Sequence, residues 1–145
     1  MFRNILVVCT GNICRSPMAE QLLRERTAAK GIKVSSAGTG AMAGWPADEL
    51  AQEVMREHGH DISAHRAQQI TLPMLTGSDL ILTLDQTHSD WINSRYPQFR
   101  GRVYKLLKWQ KNVDVEDPYM RPRKAFERAY ADCVRGVDDW LLKLA

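Results

Sequence analysis

The 145-residue sequence contains few of the features that mark secreted or membrane-spanning proteins. It has only three cysteines, Cys9, Cys14 and Cys133, an odd number in a chain long enough to need no disulfide bonds, so we expect reduced thiols. No apolar run approaches the roughly 20 residues of a membrane span, and the N-terminus lacks the long apolar segment and small-residue cleavage site of a signal peptide. These absences predict a cytoplasmic protein with no membrane segment.

The sequence also has little excess of either charge. Twenty Lys and Arg residues stand against 17 Asp and Glu residues, which gives a net charge of +3 and no dense cationic run, so we expect no nucleic-acid partner. A mildly basic chain suits an anionic substrate. The histidines show no metal-ligand spacing, and we expect neither a metal nor another cofactor. With 44% hydrophobic residues, the chain fits one domain over residues 1–145.

Aliphatic runs and helical patterns alternate along the chain. Residues 5–8 and 80–84 predict buried parallel strands, and residues 33–36 and 102–107 are weaker strand candidates. Helices are predicted over residues 16–30, with Ser16 as N-cap and Pro17 in the first helical position, and over 46–58, 85–95 (capped by Asp85) and 122–144. This order predicts a single-domain α/β fold: an open parallel sheet of about four strands with helices on both faces.

The segment VCTGNICRSP, residues 8–17, follows the first predicted strand, where ligands bind in such sheets. Gly11 can adopt a positive φ and Asn12 tolerates one, so the loop can curl until successive N–H groups point inward and bind an anion. The following helix adds its positive dipole end, and Arg15 can donate two parallel hydrogen bonds to a tetrahedral oxyanion. The residues expected to bind phosphate here are Thr10, Gly11, Asn12, Ile13 and Cys14.

Cys9 begins this loop, and the same amides, dipole and arginine would stabilise its thiolate as a nucleophile facing phosphorus. Cys9 alone would favour a buried cysteine that ends a strand and is followed by an ordinary turn. Its combination with Gly11, Asn12, Arg15 and Ser16 favours the nucleophile. The loop is not the P-loop of nucleotide-binding proteins, because G-x-x-x-x-G-K-[ST] is absent.

The motif C-x5-R-S, present as CTGNICRS, resembles that of the low-molecular-weight protein tyrosine phosphatases. The resemblance continues through VSSAGTGA, ISAHRAQQI, DLILTLD and EDPY, in the family's order and over nearly the whole chain. It implies hydrolysis of phosphotyrosine through a phosphocysteine intermediate, with inorganic phosphate as product. The short loop SAGTGAMAGWPAD resembles the bacterial branch, whose members often oppose autophosphorylating tyrosine kinases of capsule or exopolysaccharide export.

A phenolate leaving group benefits from a proton, and four acidic residues are candidate donors: Asp85, Asp114, Glu116 and Asp117. An isolated Asp-Pro would indicate a turn, but the family's D-P-Y element implies that Asp117 is the general acid and later activates water. Asp85 is interpreted as a helix N-cap beside the site, and Asp114 and Glu116 as solvated charges.

The resemblance also implies supporting roles. Ser16 can cap the helix or hydrogen-bond the Cys9 sulfur, and the family assigns it the second task. Asn12, Ser36 and His65 match positions that hold the loop in shape. Gln68 stands where relatives often have Arg, and Met120 stands where animal members have a second tyrosine, so regulation through a tyrosine pair is not expected.

Tyr119, Met42 and Trp45 are candidate walls for a substrate ring. Trp45 could instead pack on the core at the start of a helix, and both interpretations stay open. The cations Arg121, Arg123 and Lys124 could attract acidic peptides or simply be solvated. The Cys9 and Cys14 thiols could form a regulatory disulfide, or Cys14 could only pack under the loop; Cys133 falls on an apolar helical stripe and is expected in the core.

Three other functions are weighed against this one. An arsenate reductase on the same scaffold would carry relay cysteines after the third strand, and TLDQTHSDW has none. Phosphoarginine phosphatases tend to have a small polar residue in the position of Ile13. A silent phosphotyrosine-binding module would be expected to lose Cys9, Arg15 or Asp117, and all three are present.

Overall fold

The computed structural model describes residues 2–144. Over that range it contains four strands, β1 (Asn4–Cys9), β2 (Lys33–Gly38), β3 (Leu80–Thr83) and β4 (Val103–Lys105). The α-helices are α1 (Arg15–Thr27), α2 (Glu49–Glu57), α3 (Leu72–Thr76), α4 (Gln86–Arg95) and α5 (Arg123–Leu144). Short 3-10 helices occupy Ala28–Lys30 and Pro97–Arg102.

The strands form one parallel sheet in the order β2-β1-β3-β4, which confirms the predicted fold class. Helices cover both faces. Side chains of β1 alternate between two apolar clusters: Ile5, Val7 and Cys9 pack with α1, α2 and α5, whereas Leu6 and Val8 pack with α3, α4 and Phe99. Strand β1 is therefore packed on both faces, which fixes the position of its carboxyl end and of the loop that follows.

The helix boundaries correct two predictions. Helix α1 begins at Arg15, its N-cap position is Cys14 with no side-chain cap, and Pro17 is its third residue, so the Ser16 N-cap is wrong. The reason is local: the Ser16 hydroxyl is occupied by partners in the preceding loop. Helix α2 begins at Glu49 because the Asp48 carboxylate accepts the Leu50 N–H and caps it.

The other boundaries lie close to the predicted ones. Asp85 caps α4 as expected and forms a capping box with His88. Helix α3 was not predicted, since five residues are too few to establish a helical period. Strand β4 ends at Lys105, two residues before the predicted end, although the Leu106 N–H still donates to the Thr83 carbonyl of β3 at 2.8 Å.

Candidate active site

Residues 10–14 form a cradle at the carboxyl end of β1, beside the start of α1. Its left-handed residue is Asn12, with φ of 60°. Gly11 does not have a positive φ, contrary to the role suggested by its flexibility. Asn12 can adopt this conformation because its short polar side chain bonds locally, here to Ser16 and Ser36.

Donors outside the cradle engage the carbonyl groups of residues 9–13. Five consecutive carbonyls, from Cys9 to Ile13, accept hydrogen bonds from Thr39 N (3.0 Å), Gly40 N (3.0 Å), Met42 N (3.0 Å), His65 Nε2 (2.7 Å) and Asp48 N (2.8 Å), in chain order. Within residues 2–144, the N–H groups of Gly11, Ile13 and Cys14 have no protein acceptor. The backbone therefore presents unpaired donors to the cavity that these residues line.

A glycine allows the segment after β2 to approach the cradle. A Cβ at Gly38 would lie 2.3 Å from the Thr10 carbonyl oxygen, so any larger residue would push the two segments apart. The sequence contains this signal only as the glycine of SSAG. Gly38 thus permits the contacts between the cradle and residues 39–48.

The Cys9 sulfur receives two donors. The Asn12 N–H lies 3.2 Å from Cys9 Sγ, and the Ser16 Oγ lies 2.8 Å from it. Because Asn12 Nδ2 donates to Ser16 Oγ at 2.7 Å, the Ser16 hydroxyl is free to donate its proton to the sulfur. Ser16 is therefore placed to stabilise a thiolate.

A buried polar network supports Asn12 from behind. Its amide nitrogen also donates to Ser36 Oγ at 2.9 Å, and the Ser36 hydroxyl in turn donates to the Glu20 carboxylate. The Gln68 N–H donates to Asn12 Oδ1 at 2.9 Å, and the Gln68 side chain donates to the Ser36 carbonyl. Sequence reasoning missed Glu20, which is buried on α1.

Arg15 is buried beside the cradle, with 3% of its side chain exposed. Its Nη1 donates to Asp85 Oδ2 at 2.8 Å and to the Val115 carbonyl at 2.7 Å. Nε and Nη2 have no hydrogen bond to protein within residues 2–144, and Nη2 lies 3.8 Å from Asp117 Oδ2. Two donors of the planar guanidinium thus remain for an oxyanion.

Arg15 and its acidic neighbours stabilise each other's charged forms. Burial opposes the charge on Arg15, but the nearby Cys9, Asp85 and Asp117 raise its pKa above the ordinary value. Burial likewise opposes ionisation of Asp85, yet hydrogen bonds from Thr87 and Arg15 outweigh it and hold the pKa of Asp85 at about 2. The ion pair is therefore charged on both sides at neutral pH.

His88 connects this ion pair to the cradle. Its Nδ1 accepts the Asp85 N–H at 3.1 Å, which leaves the proton on Nε2, and Nε2 donates to Thr10 Oγ1 at 2.9 Å. Burial and the positive Arg15 lower the pKa of His88 to about 4. The imidazole is neutral and fixed in one tautomer.

Asp117 lies at the edge of the cavity with about half of its side chain exposed. The segment that carries it is anchored at Val115, whose N–H donates to the Leu84 carbonyl at 2.8 Å. Glu116 is exposed, as expected, but Asp114 is not merely solvated: it forms an ion pair with Lys105 at 2.8 Å.

Met42 and Tyr119 line the cavity, together with the cradle residues, Gly40, Arg15 and Asp117. Asn12 is fully buried behind the cavity wall. Trp45 is outside the lining and is 53% exposed, so it is neither a cavity wall nor a core residue.

The other singled-out side chains lie around the site. Arg123 forms ion pairs with Glu53, Glu57 and Glu127, which tie α5 to α2 at the surface. Cys133 is buried, as expected, with Sγ 3.9 Å from the Arg15 carbonyl.

The described residues offer no group of three His, Cys, Asp or Glu side chains arranged to hold a metal ion. Over the same 2–144 range, none of the helices combines the length and apolar character that a bilayer crossing requires.

Residues 4–145 match the family model for low molecular weight phosphotyrosine protein phosphatases. A probable low molecular weight protein-tyrosine-phosphatase, EpsP, from Ralstonia nicotianae is 48% identical, with the alignment covering 99% of this chain and 97% of EpsP. The solved structure of Vibrio vulnificus Wzb in complex with benzylphosphonate superposes with a TM-score of 0.93 at 35% identity, covering 99% of each chain.

The YwlE arginine phosphatase from Geobacillus stearothermophilus superposes with a TM-score of 0.91 at 32% identity, covering 98% of this chain and 92% of that one. The shared scaffold therefore carries more than one phosphatase specificity. The family match and the bacterial relatives together identify the resemblance in the sequence as kinship: this chain belongs to the low-molecular-weight phosphotyrosine protein phosphatase family.

Proposed function

We propose that this chain dephosphorylates tyrosine residues of proteins with Cys9 as nucleophile, Arg15 as phosphate ligand and Asp117 as general acid and base. The observation that carries the proposal is the convergence of unpaired cradle N–H groups, two free Arg15 donors and the Cys9 sulfur on one cavity that Asp117 overlooks. A dianionic phosphate with one ester oxygen matches this arrangement.

In the first step, the Cys9 thiolate attacks phosphorus, an S–P bond forms and the P–O bond to the tyrosine ring breaks. The leaving oxygen takes the proton of the Asp117 carboxylic acid and departs as a phenol. Cradle N–H groups and Arg15 stabilise the charge spread over the three equatorial oxygens. The products of this step are the dephosphorylated tyrosine residue of the substrate protein and a phosphocysteine at Cys9.

In the second step, the Asp117 carboxylate accepts a proton from water as the water oxygen attacks phosphorus. The new P–O bond forms, the S–P bond breaks, and inorganic phosphate is released. The Ser16 hydroxyl, 2.8 Å from the sulfur, stabilises the departing thiolate. Asp117 is then protonated and Cys9 is ionised, ready for the next substrate.

The cavity walls favour an aromatic phosphoester. Met42, Ile13 and Tyr119 offer apolar surface above a narrow anion cradle, and a flat ring can lie between such walls. The cradle alone would accept any small oxyanion, so the ring contacts supply the preference for phosphotyrosine. The nearest alternative substrate is phosphoarginine, because the structurally similar Geobacillus protein is an arginine phosphatase.

The partner we propose is a cytoplasmic autophosphorylating tyrosine kinase of capsule or exopolysaccharide export. Support comes from the bacterial relatives, which are named as tyrosine phosphatases, and from a cavity bordered by the exposed side chains of Asp117 and Tyr119.

The test is hydrolysis by purified protein of matched peptides bearing phosphotyrosine, phosphoserine or phosphoarginine, with arsenate reduction measured in parallel. We expect hydrolysis of phosphotyrosine only. Cys9→Ser should abolish turnover yet still bind phosphate, because the cradle N–H groups and Arg15 remain. Cys133→Ala, which removes a thiol outside the cavity, is the control. Preferred hydrolysis of phosphoarginine, or substantial turnover by Cys9→Ser, would contradict the proposal.

A further inference from the structure

Lys105 ends strand β4 with only 9% of its side chain exposed. A lysine this buried is uncommon unless its ammonium group is paired. Here Nζ donates to the Asn112 carbonyl at 2.6 Å and forms an ion pair with Asp114 Oδ1 at 2.8 Å. Both partners lie in the segment that leads to Asp117, so the buried cation is directed at the loop that carries the acid.

This segment, residues 111–117, is here called the acid loop. It begins with two consecutive left-handed residues, Lys111 with φ of 58° and Asn112 with φ of 55°. A left-handed backbone conformation is unfavourable for residues with side chains and persists only where surrounding contacts hold it. The bond from Lys105 Nζ to the Asn112 carbonyl lies at these left-handed residues.

Asp114 reaches a second element from the same oxygen. Its Oδ1 also accepts the N–H of Gln86, the first residue of α4, at 3.0 Å. The neighbouring Asp85 caps this helix and holds Arg15. One carboxylate therefore joins the acid loop, the end of β4 and the helix start that orients the phosphate-binding arginine.

Asp117 itself has little to fix it. About half of its side chain is exposed. Within residues 2–144 its Oδ1 accepts one hydrogen bond, from the Tyr119 N–H two residues further on, and its Oδ2 lies 3.8 Å from Arg15 Nη2. The anchors of the acid loop lie upstream, at Asn112, Asp114 and Val115. The position of the Asp117 carboxylate above the cavity therefore depends on those anchors.

We propose that the Lys105–Asp114 ion pair is a positioning device for the general acid, and that it acts through the acid loop without touching the substrate. This inference rests on the role proposed above for Asp117. It assigns to Lys105 and Asp114 a contribution that should be specific to the step in which the leaving group is protonated.

The experiment measures kcat/KM for a series of aryl phosphates with leaving groups of increasing acidity, because a poor leaving group needs the proton and a good one does not. We expect Lys105→Met to lower kcat/KM for phosphotyrosine and phenyl phosphate about tenfold, which is a fraction of the effect of losing the acid itself. For 2,4-dinitrophenyl phosphate, we expect kcat/KM to fall less than about twofold. Asp114→Asn should give the same pattern.

Two further variants complete the design. Adding Lys105→Met to Asp117→Asn should cause no additional loss with phenyl phosphate, because the displaced group is already absent. Phe99→Leu, in the apolar cluster that contains Ile81 and Ile92 and has no part in the ion pair, is the control for reduced stability and should leave the leaving-group dependence unchanged.

Equal losses across the series in Lys105→Met, or no loss, would overturn the positioning role. If Lys105→Met does not fold, Asp114→Asn decides alone by the same criterion. Equal losses of kcat/KM across the series in Asp117→Asn would instead contradict the proposed role of Asp117. Failure of the positioning role and failure of the proposed general acid are therefore distinguishable.

Discussion

A single nitrogen of Arg15 binds both Asp85 and the backbone of the acid loop: Nη1 donates to Asp85 Oδ2 at 2.8 Å and to the Val115 carbonyl at 2.7 Å. One edge of the guanidinium is thus committed to protein, and the other edge is turned to the cavity. The arginine is a ligand for phosphate and a support for the loop that carries the acid.

Arg15→Lys should therefore be severe, although it conserves the charge. An ammonium group cannot hold Asp85 and Val115 on one side while donating two parallel bonds to phosphate on the other. We expect kcat/KM for phosphotyrosine to fall about 10²-fold or more. Asp85→Asn, which keeps an acceptor near Nη1, should lose less. Steady-state kinetics compare the two, and a near-normal rate for Arg15→Lys would show that Arg15 does not bind the phosphate.

Asp117→Asn should slow hydrolysis in a manner that depends on the leaving group. For phosphotyrosine the phenol needs a proton, and we expect a loss in the range of about 10²–10⁴-fold. An aryl phosphate with a far more acidic phenol should lose much less in kcat/KM. Equal losses for both substrates would point to a structural role for Asp117, and Glu116 would then be the acid to test.

Stability should depend on pH through His88. Its pKa is about 4 in the folded protein against an ordinary value of 6.5, because burial and Arg15 oppose a positive imidazole. Between those values an unfolded chain takes up a proton that the folded chain does not. The stabilisation is therefore present above pH 6.5 and is lost as the pH falls toward 4, by about 3 kcal/mol.

Urea unfolding at several pH values across this window tests the effect. His88→Asn should lower stability at neutral pH and flatten the decline between pH 6.5 and 4, since the titrating group is gone. Asp85, with its pKa lowered from 3.8 to about 2, contributes only below this window. An unchanged slope in the variant would assign the pH dependence to other groups.

Peroxide should inactivate the enzyme reversibly through Cys9 and Cys14, which are free thiols lining the same cavity. Oxidation of the Cys9 thiolate gives a sulfenic acid; attack by the Cys14 sulfur then forms a disulfide and releases water. Burial, reinforced by Asp48, raises the pKa of Cys14, so this capture should be slow. Phosphate should protect, and thiol reductant should restore activity.

The matched variant is Cys14→Ser, which we expect to be inactivated with little recovery because further oxidation of Cys9 cannot be reversed by thiols. Recovery equal to that of the unaltered enzyme, or the lack of a Cys9–Cys14 linked peptide in mass spectra after oxidation, would rule out the disulfide.

Local signals predicted the elements that build the site. Aliphatic runs located β1 and β3, and an aspartate before a helical pattern located the Asp85 cap. The same local reasoning failed at Ser16, where helix-capping preference competed with a sulfur seven residues earlier in the chain, 2.8 Å away in the fold.

The residues that sequence reasoning missed or misjudged act across long sequence separations. Glu20 reaches Ser36 on the next strand, and Asp114 reaches Gln86 and the buried Lys105. A carboxylate in an exposed segment resembles any solvated charge until its partner's position is known. Such contacts require the fold, because no periodicity or spacing encodes them.

The hydrogen bonds that the five carbonyls from Cys9 to Ile13 accept have a thermodynamic consequence. The loop is ordered when the polypeptide folds, through donors supplied by residues 39–48 and by His65. Anion binding therefore costs the translational and rotational entropy of the anion but no further conformational entropy of the loop. Anion affinity should then depend on whether segment 39–48 is folded against the loop. Local opening of that segment would release the carbonyls to rotate and would erase anion affinity while the sheet behind it stays intact.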